Sequence, residues 1–164
     1  MRKHTLFERF SKCTSQGVCS SMFLVLRVAL GLMFLYAGVT KFGDWSAAGY
    51  LAGATGPLAG WFQSLAGNGL VDSLNAWGLT LVGACLVLGI FVRPASFFGI
   101  IIMILYYLAD FEGNTAHGLI DQHIIYIIVL MLFMAGGVGH ILGIDGLVHE
   151  NLRKKGRLIS VLFG

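Results

Sequence analysis

Five side chains in this chain could hold a ligand or move a proton: Arg27, Lys41, Arg93, His123 and His140. Arginine and lysine only donate hydrogen bonds, so they suit a carbonyl acceptor, an anion or charge that develops during reaction. Histidine titrates near pH 6.5 when unperturbed and can relay a proton or donate to a ligand carbonyl. His123 lies in ADFEGNTAHGLIDQHIIY, with Asp110, Glu112, His117 and Asp121 close by in sequence. That spacing fits no metal template, so no metal site is expected. Asp121 suits the N-cap of the helix that His123 begins, and His123 is then either a structural first-turn residue or a proton relay. His140, in MAGGVGHILGIDGLV, either serves a site at its own end of the chain's last apolar segment or makes a structural hydrogen bond. Gly136, Gly137 and Gly139 beside it let another backbone approach.

Arg27 and Lys41 bracket the stretch RVALGLMFLYAGVTKF. A helix turns about 100° per residue, so Arg27, Gly31, Phe34, Gly38 and Lys41 share one stripe roughly 80° wide. Small residues on a stripe mark helix packing in a membrane. The two cations therefore border a packing face, or else snorkel to opposite surfaces. They are about 21 Å apart along the axis, too far to grip one small ligand together. Lys41 is then the candidate for an outer anion, and Arg27 for a structural or inner-face role. A second small stripe, Gly78, Cys85 and Gly89 leading to Arg93, is expected to pack against the first.

Three cysteines, Cys13, Cys19 and Cys85, form no CxxC. Their placement argues against a disulfide framework and a zinc site. Cys85 reads as a small packing residue, since an apolar setting raises a thiol pKa. No haem-ligating pair or flavin fingerprint is visible, so the chain shows no electron carrier of its own.

The elements that position these residues follow from composition. Of 164 residues, 57% are hydrophobic and 12% charged. The class is an all-α integral membrane protein, because lipid tolerates only helices or closed barrels. Four spans are predicted, at about 22–42, 72–92, 95–111 and 122–142, giving a four-transmembrane-helix bundle. Residues 1–21 form an N-terminal tail, 22–148 the membrane domain and 149–164 a basic C-terminal tail. Arg2, Lys3, Arg9, Lys12, Arg93 and the cluster Arg153, Lys154, Lys155 and Arg157 fall on one side of the spans. Asp44, Asp72, Asp110, Glu112 and Asp121 fall on the other, with Lys41 at the border. The positive-inside rule puts both termini in the cytoplasm. Trp45, Trp61, Trp77, Tyr106 and Tyr107 cluster at the opposite, outer interface. The net charge of +3 is a signature of orientation here and not of nucleic-acid binding.

The first outer connection, DWSAAGYLAGATGPLAGWFQSLAGNG, is apolar, glycine-rich and nearly uncharged. One or two short interfacial helices are expected there. They form either a membrane-hugging loop or a lid over a lipid-soluble ligand.

The set RxxxGxxFxxxGxxK, GACLVLGIFVRPAS and GHILGIDGLV resembles the DoxX family, and its DoxD branch in the last element, over about residues 22–148. The resemblance implies a multi-pass subunit of a prokaryotic cell membrane, linked to quinone-dependent redox chemistry. The DoxD branch is associated with thiosulfate:quinone oxidoreductase, which joins two thiosulfates into tetrathionate and passes two electrons to quinone. It works with a second subunit, DoxA. Arg27, Lys41, Arg93, His123 and His140 would then be the substrate or quinone candidates. Many relatives carry a glutamate early in the second span, and Thr80 stands near that place here. A homo-oligomer, a non-catalytic scaffold that recruits a redox partner, and a small transporter all remain open on the residues alone.

Overall fold

A computed structural model describes residues 17–116 and 118–146 of the chain. Most of the N-terminal tail, His117 and the basic C-terminal tail lie outside the described residues. The described part is helical. In chain order the α-helices are α1 (Gly17–Val39), α2 (Ala48–Ala52), α3 (Ala59–Ser64), α4 (Gly69–Leu88), α5 (Val92–Ala109), α6 (Phe111–Thr115) and α7 (Gln122–Gly136). A 3-10 turn at Val138–His140 follows. Three of these helices are long and apolar enough to cross a membrane: Cys19–Val39 within α1, α4 and α5.

The fourth expected span is shorter than its apolar sequence suggested. As an α-helix it stops at Gly136, because Gly137 takes the left-handed conformation at φ 58° and turns the chain aside. Fifteen residues span about 22 Å, against a hydrocarbon core of about 30 Å. The other spans shift by a few residues for equally local reasons. α4 starts early because the Asn68 side chain accepts from Leu70 N–H at 3.0 Å. It ends at Gly89, φ 65°, where Ile90 N–H reaches back to the Cys85 carbonyl at 3.0 Å, a Schellman closure. Pro94 falls in the first turn of α5, where a missing N–H costs nothing. α1 ends at Val39, so Lys41 lies in the turn beyond it, with its N–H bonded to the Gly38 carbonyl at 3.0 Å.

Consecutive long helices pack antiparallel. Gly31 of α1 faces Val87 of α4, while Gly38 faces Thr80. Gly83 of α4 lies so close to α1 that a Cβ there would meet the Gly31 carbonyl at 2.7 Å. Gly99 of α5 likewise meets Leu130 of α7 and Val82 of α4. Phe34 and Tyr126 make an edge-to-face contact at 6.2 Å that joins α1 to α7. Around Phe34 the core holds Leu79, Leu86, Met103, Leu130 and Phe133.

The expected short helices exist, and with α6 they cover one end of the bundle, here termed the cap end. The covering is tied down on two sides. Ala47 N–H donates to the Asp72 carboxylate at 2.8 Å, and Thr55 N–H donates to the Ala109 carbonyl at 3.0 Å. Under it Leu51, Ala54 and Phe62 bury a small core of their own with Ala109. The opposite end, where α4 turns into α5, is the hairpin end. Cys19, near the start of α1, is disulfide-bonded, contrary to the expectation from cysteine spacing, and Cys85 is free.

Candidate functional site

The five candidate residues do not converge. Lys41 and His123 stand at the cap end, and Arg27, Arg93 and His140 at the hairpin end. The two ends are built for different work.

At the hairpin end Arg27 is 1% exposed. Its guanidinium donates to the Val138 carbonyl at 2.7 Å and to the Leu142 carbonyl at 3.5 Å. Both acceptors belong to the chain that follows α7, where the Val138 carbonyl also accepts from Ile141 N–H at 3.2 Å. Asp145 is also 1% exposed, and its charge acts on Arg27. The Asp145 carboxylate accepts from Phe91 N–H at 2.9 Å and Val92 N–H at 3.2 Å, so it caps the start of α5 from a distant segment. Asp145 N–H in turn donates to the Gly89 carbonyl at 2.9 Å. Gly89 therefore closes α4 against Arg27 of α1, where a Cβ would meet the guanidinium at 2.8 Å. Arg93 lies in the first turn of α5 and His140 ends the 3-10 turn, both partly buried. The GHILGID segment exposes Leu142 but buries Gly143 and Asp145 against the end of α4 and the start of α5.

The seam between α1 and α4 is made by Gly31 and Gly38 with Thr80, Gly83 and Val87. Gly78 points elsewhere, toward Ile102 of α5 at 3.1 Å, and Cys85 is half-buried. The Thr80 hydroxyl donates to the Ala76 carbonyl at 2.7 Å. This position carries no titratable group.

At the cap end a cavity of about 550 Å³ lies beneath α2 and α3 and between α4 and α5. That volume falls within the range of about 300–1,000 Å³ typical of small-molecule sites. Leu51, Phe62 and Leu65 line it from the covering helices, and Val71, Ile102 and Leu105 from the bundle. Few polar groups reach it. Lys41 is the one formally charged residue of the lining, and its ammonium stands 4.3 Å from the Trp45 ring centroid. Burial pushes the Lys41 pKa down. Asn75 lines the cavity from α4 and accepts from the Tyr106 hydroxyl at 2.8 Å. The Tyr50 hydroxyl donates to the Tyr106 carbonyl at 3.2 Å. Burial first, then Asp110 and neighbouring groups, push Tyr50 up to about 12, so it remains a neutral phenol.

His123 sits behind this wall and does not line the cavity. Its ring stacks on Tyr106, with centroids 6.0 Å apart, and its Nδ1 pairs with Asp121. Asp121 caps α7 as expected, accepting from Ile124 N–H at 3.1 Å. Burial works to raise the Asp121 pKa, but the bonds from His123 and Ile124 outweigh it and hold the carboxyl below its usual range. No group of three or more His, Cys, Asp or Glu among the described residues is placed to hold a metal ion.

Sequence reasoning passed over Asn75 and Asp145 and read Tyr106 only as an interfacial aromatic. Asn75 carried a signal, as the sole side-chain amide in the segment 72–92. Asp145 carried none, because nothing local shows that a Gly-Ile-Asp-Gly turn will be buried against a helix start 53 residues away.

A helical membrane protein with an apolar cavity under a folded cover is the class these features define. Residues 22–110, more than half of the chain, match the DoxX family, and the chain belongs to it. No curated protein and no solved structure shows a significant match to the chain.

Proposed function

We infer that this DoxX-family protein is the membrane subunit of a quinone-linked oxidoreductase, with the quinone ring held in the cap-end cavity. The family is often associated with quinone oxidoreductases. The observation that carries the reading is the chemistry of the cavity. Its walls are mostly aliphatic and aromatic, and its polar side chains include two placed to donate, Lys41 and Asn75. The Tyr106 hydroxyl donates to Asn75 Oδ1, so the amide nitrogen is the Asn75 group that would donate to a ligand. Lys41 and Asn75 would hold the ring's carbonyl oxygens. When bound, quinone accepts two electrons and two protons. Lys41 stabilises the negative charge that grows on the ring oxygens, and the covering helices keep water away.

In this reading four helices cross a prokaryotic cytoplasmic membrane. The cap end faces outward and both tails face the cytoplasm. α7 reaches the far interface with the help of the segment after it. The electrons come from a second subunit, since no carrier is evident in this sequence. A DoxA-like partner that joins two thiosulfates into tetrathionate would release the two electrons that quinone takes up. The test is thiosulfate-dependent reduction of a quinone analogue by the full chain in nanodiscs, alone and with a candidate partner. Quinone reduction that Lys41→Met lowers at least tenfold supports the reading. No reduction and no quinone binding would sink it.

A further inference from the structure

The walls of the cavity differ in how they meet their surroundings. Ala47, Leu51 and Phe62 on the cover are 4–6% exposed, while Tyr50 and Trp61 of the same covering helices are exposed. The exposed side chains of the lining are of another kind. Leu74 is 71% exposed and Leu105 41%, and each reaches both the cavity and the outer surface of its helix. Tyr50 and Trp61, which are also exposed, share that lining. Two aliphatic residues with a tyrosine and a tryptophan make the composition of a bilayer interface. No charged side chain is among these exposed residues, and Lys41 is half-buried.

We propose that the cavity opens sideways into the bilayer between α4 and α5, past Leu74 and Leu105, and takes a single-tailed amphiphile. The hydrogen-bond-accepting head lies at Lys41 and Asn75, and the tail leaves over the two leucines. This rests on the cavity being the ligand site of the preceding reading, and it narrows the ligand class. A water-soluble dianion would meet apolar walls around one cation and lose its hydration with little return. Any such substrate is therefore handled elsewhere, on a partner. The cover need not open for exchange, which agrees with its ties to Asp72 and to the Ala109 carbonyl.

The test uses the full chain in nanodiscs and the quenching of its own tryptophans, two of which, Trp45 and Trp61, line the cavity. The probes are a benzoquinone with a ten-carbon tail and its tail-less parent, with affinities expressed against concentration in the membrane. The pair Leu74→Phe and Leu105→Phe narrows the mouth. It should weaken the tailed quinone about tenfold and the tail-less one less than about twofold. Leu81→Phe, exposed on α4 but outside the lining, should change neither. Equal effects on both probes, or none on the tailed one, overturn the proposal and leave the quinone reading standing. If neither quinone binds the unaltered protein, the quinone reading falls. A nitroxide-labelled stearic acid then decides the portal. A tenfold loss with the Phe pair supports it, and no binding or no loss overturns it. If the Phe pair does not fold, Leu74→Ala with Leu105→Ala should speed association of the tailed probe severalfold, and an unchanged rate overturns the proposal.

Discussion

Arg27 and Val138 lie 111 positions apart in the chain, and the arginine's Nη1 donates to the valine's carbonyl oxygen at 2.7 Å. This bond fixes the segment after α7 against the first helix. The bond gives Arg27 structural work at the hairpin end, and Arg27 does not line the cap-end cavity. Asp145 completes the arrangement by capping α5.

Arg27→Met should therefore damage the fold. It leaves Asp145 buried without the charge that acts on it and takes one of two donors from the Val138 carbonyl, a loss of about 3–5 kcal/mol. Asp145→Leu should cost a comparable amount. The double variant should cost less than the sum, since each residue is most harmful when left without the other. Thermal unfolding in detergent measures all three. Additive losses would mean that Arg27 and Asp145 act independently.

Gly83 offers a second test of packing. A methyl group there would meet the Gly31 carbonyl at 2.7 Å and the Leu35 Cα at 2.6 Å, and backbone cannot move aside as a side chain can. Gly83→Ala should force α1 from α4 and destabilise the protein by about 1–3 kcal/mol. Gly78→Ala meets only the tip of Ile102 and should cost less. Equal unfolding temperatures for the two variants would refute this assignment of the seam.

The difference between these glycines shows what the sequence could and could not specify. Apolar runs long enough to span a bilayer gave the positions of α1, α4 and α5 to within a few residues, because segment length and hydrophobicity are local properties. The stripe on α1 was legible for the same reason, as helical geometry alone puts Gly31 and Gly38 on one face. Which glycine of α4 would meet it depends on helix rotation, a tertiary property, and Gly83 took the place assigned to Gly78. The site divided in the same way. Lys41 was visible as a cation at a helix end. Asn75 and Tyr106 became a pair only once α4 and α5 were packed, and Asp145 acts through a contact that no local pattern encodes.

The lowering of the Lys41 pKa by burial sets a direction for ligand binding. Burial favours the neutral amine, so the ammonium is lost at a lower pH than for a free lysine. A ligand that accepts from the ammonium should bind well below that pH and weaken as pH rises through it. Lys41→Arg keeps a cation at every accessible pH and should flatten the profile. Quinone quenching titrated from neutral to alkaline pH makes the comparison. A profile unchanged by Lys41→Arg would remove Lys41 from the site.

Asp121 carries the opposite dependence, on stability. Its hydrogen bonds from His123 and Ile124 favour the carboxylate and outweigh the burial that opposes it, so its folded pKa lies below the unfolded one. The contribution is present above the ordinary carboxylate range, near pH 4, and is lost as pH falls through the folded pKa. Losing it unseats two things together, the cap of α7 and the stack of His123 on Tyr106. Acidification should therefore lower the unfolding temperature and loosen the wall of the cavity in the same pH range. Asp121→Asn keeps a capping side chain but loses the charge, so it should start less stable and show a shallower fall with acid. His123→Phe keeps a ring to stack on Tyr106 and removes the bond to Asp121. If that bond helps to hold the pKa down, His123→Phe should move the acid transition upward toward the ordinary range. An acid transition at the same pH in all three proteins would show that Asp121 does not govern it.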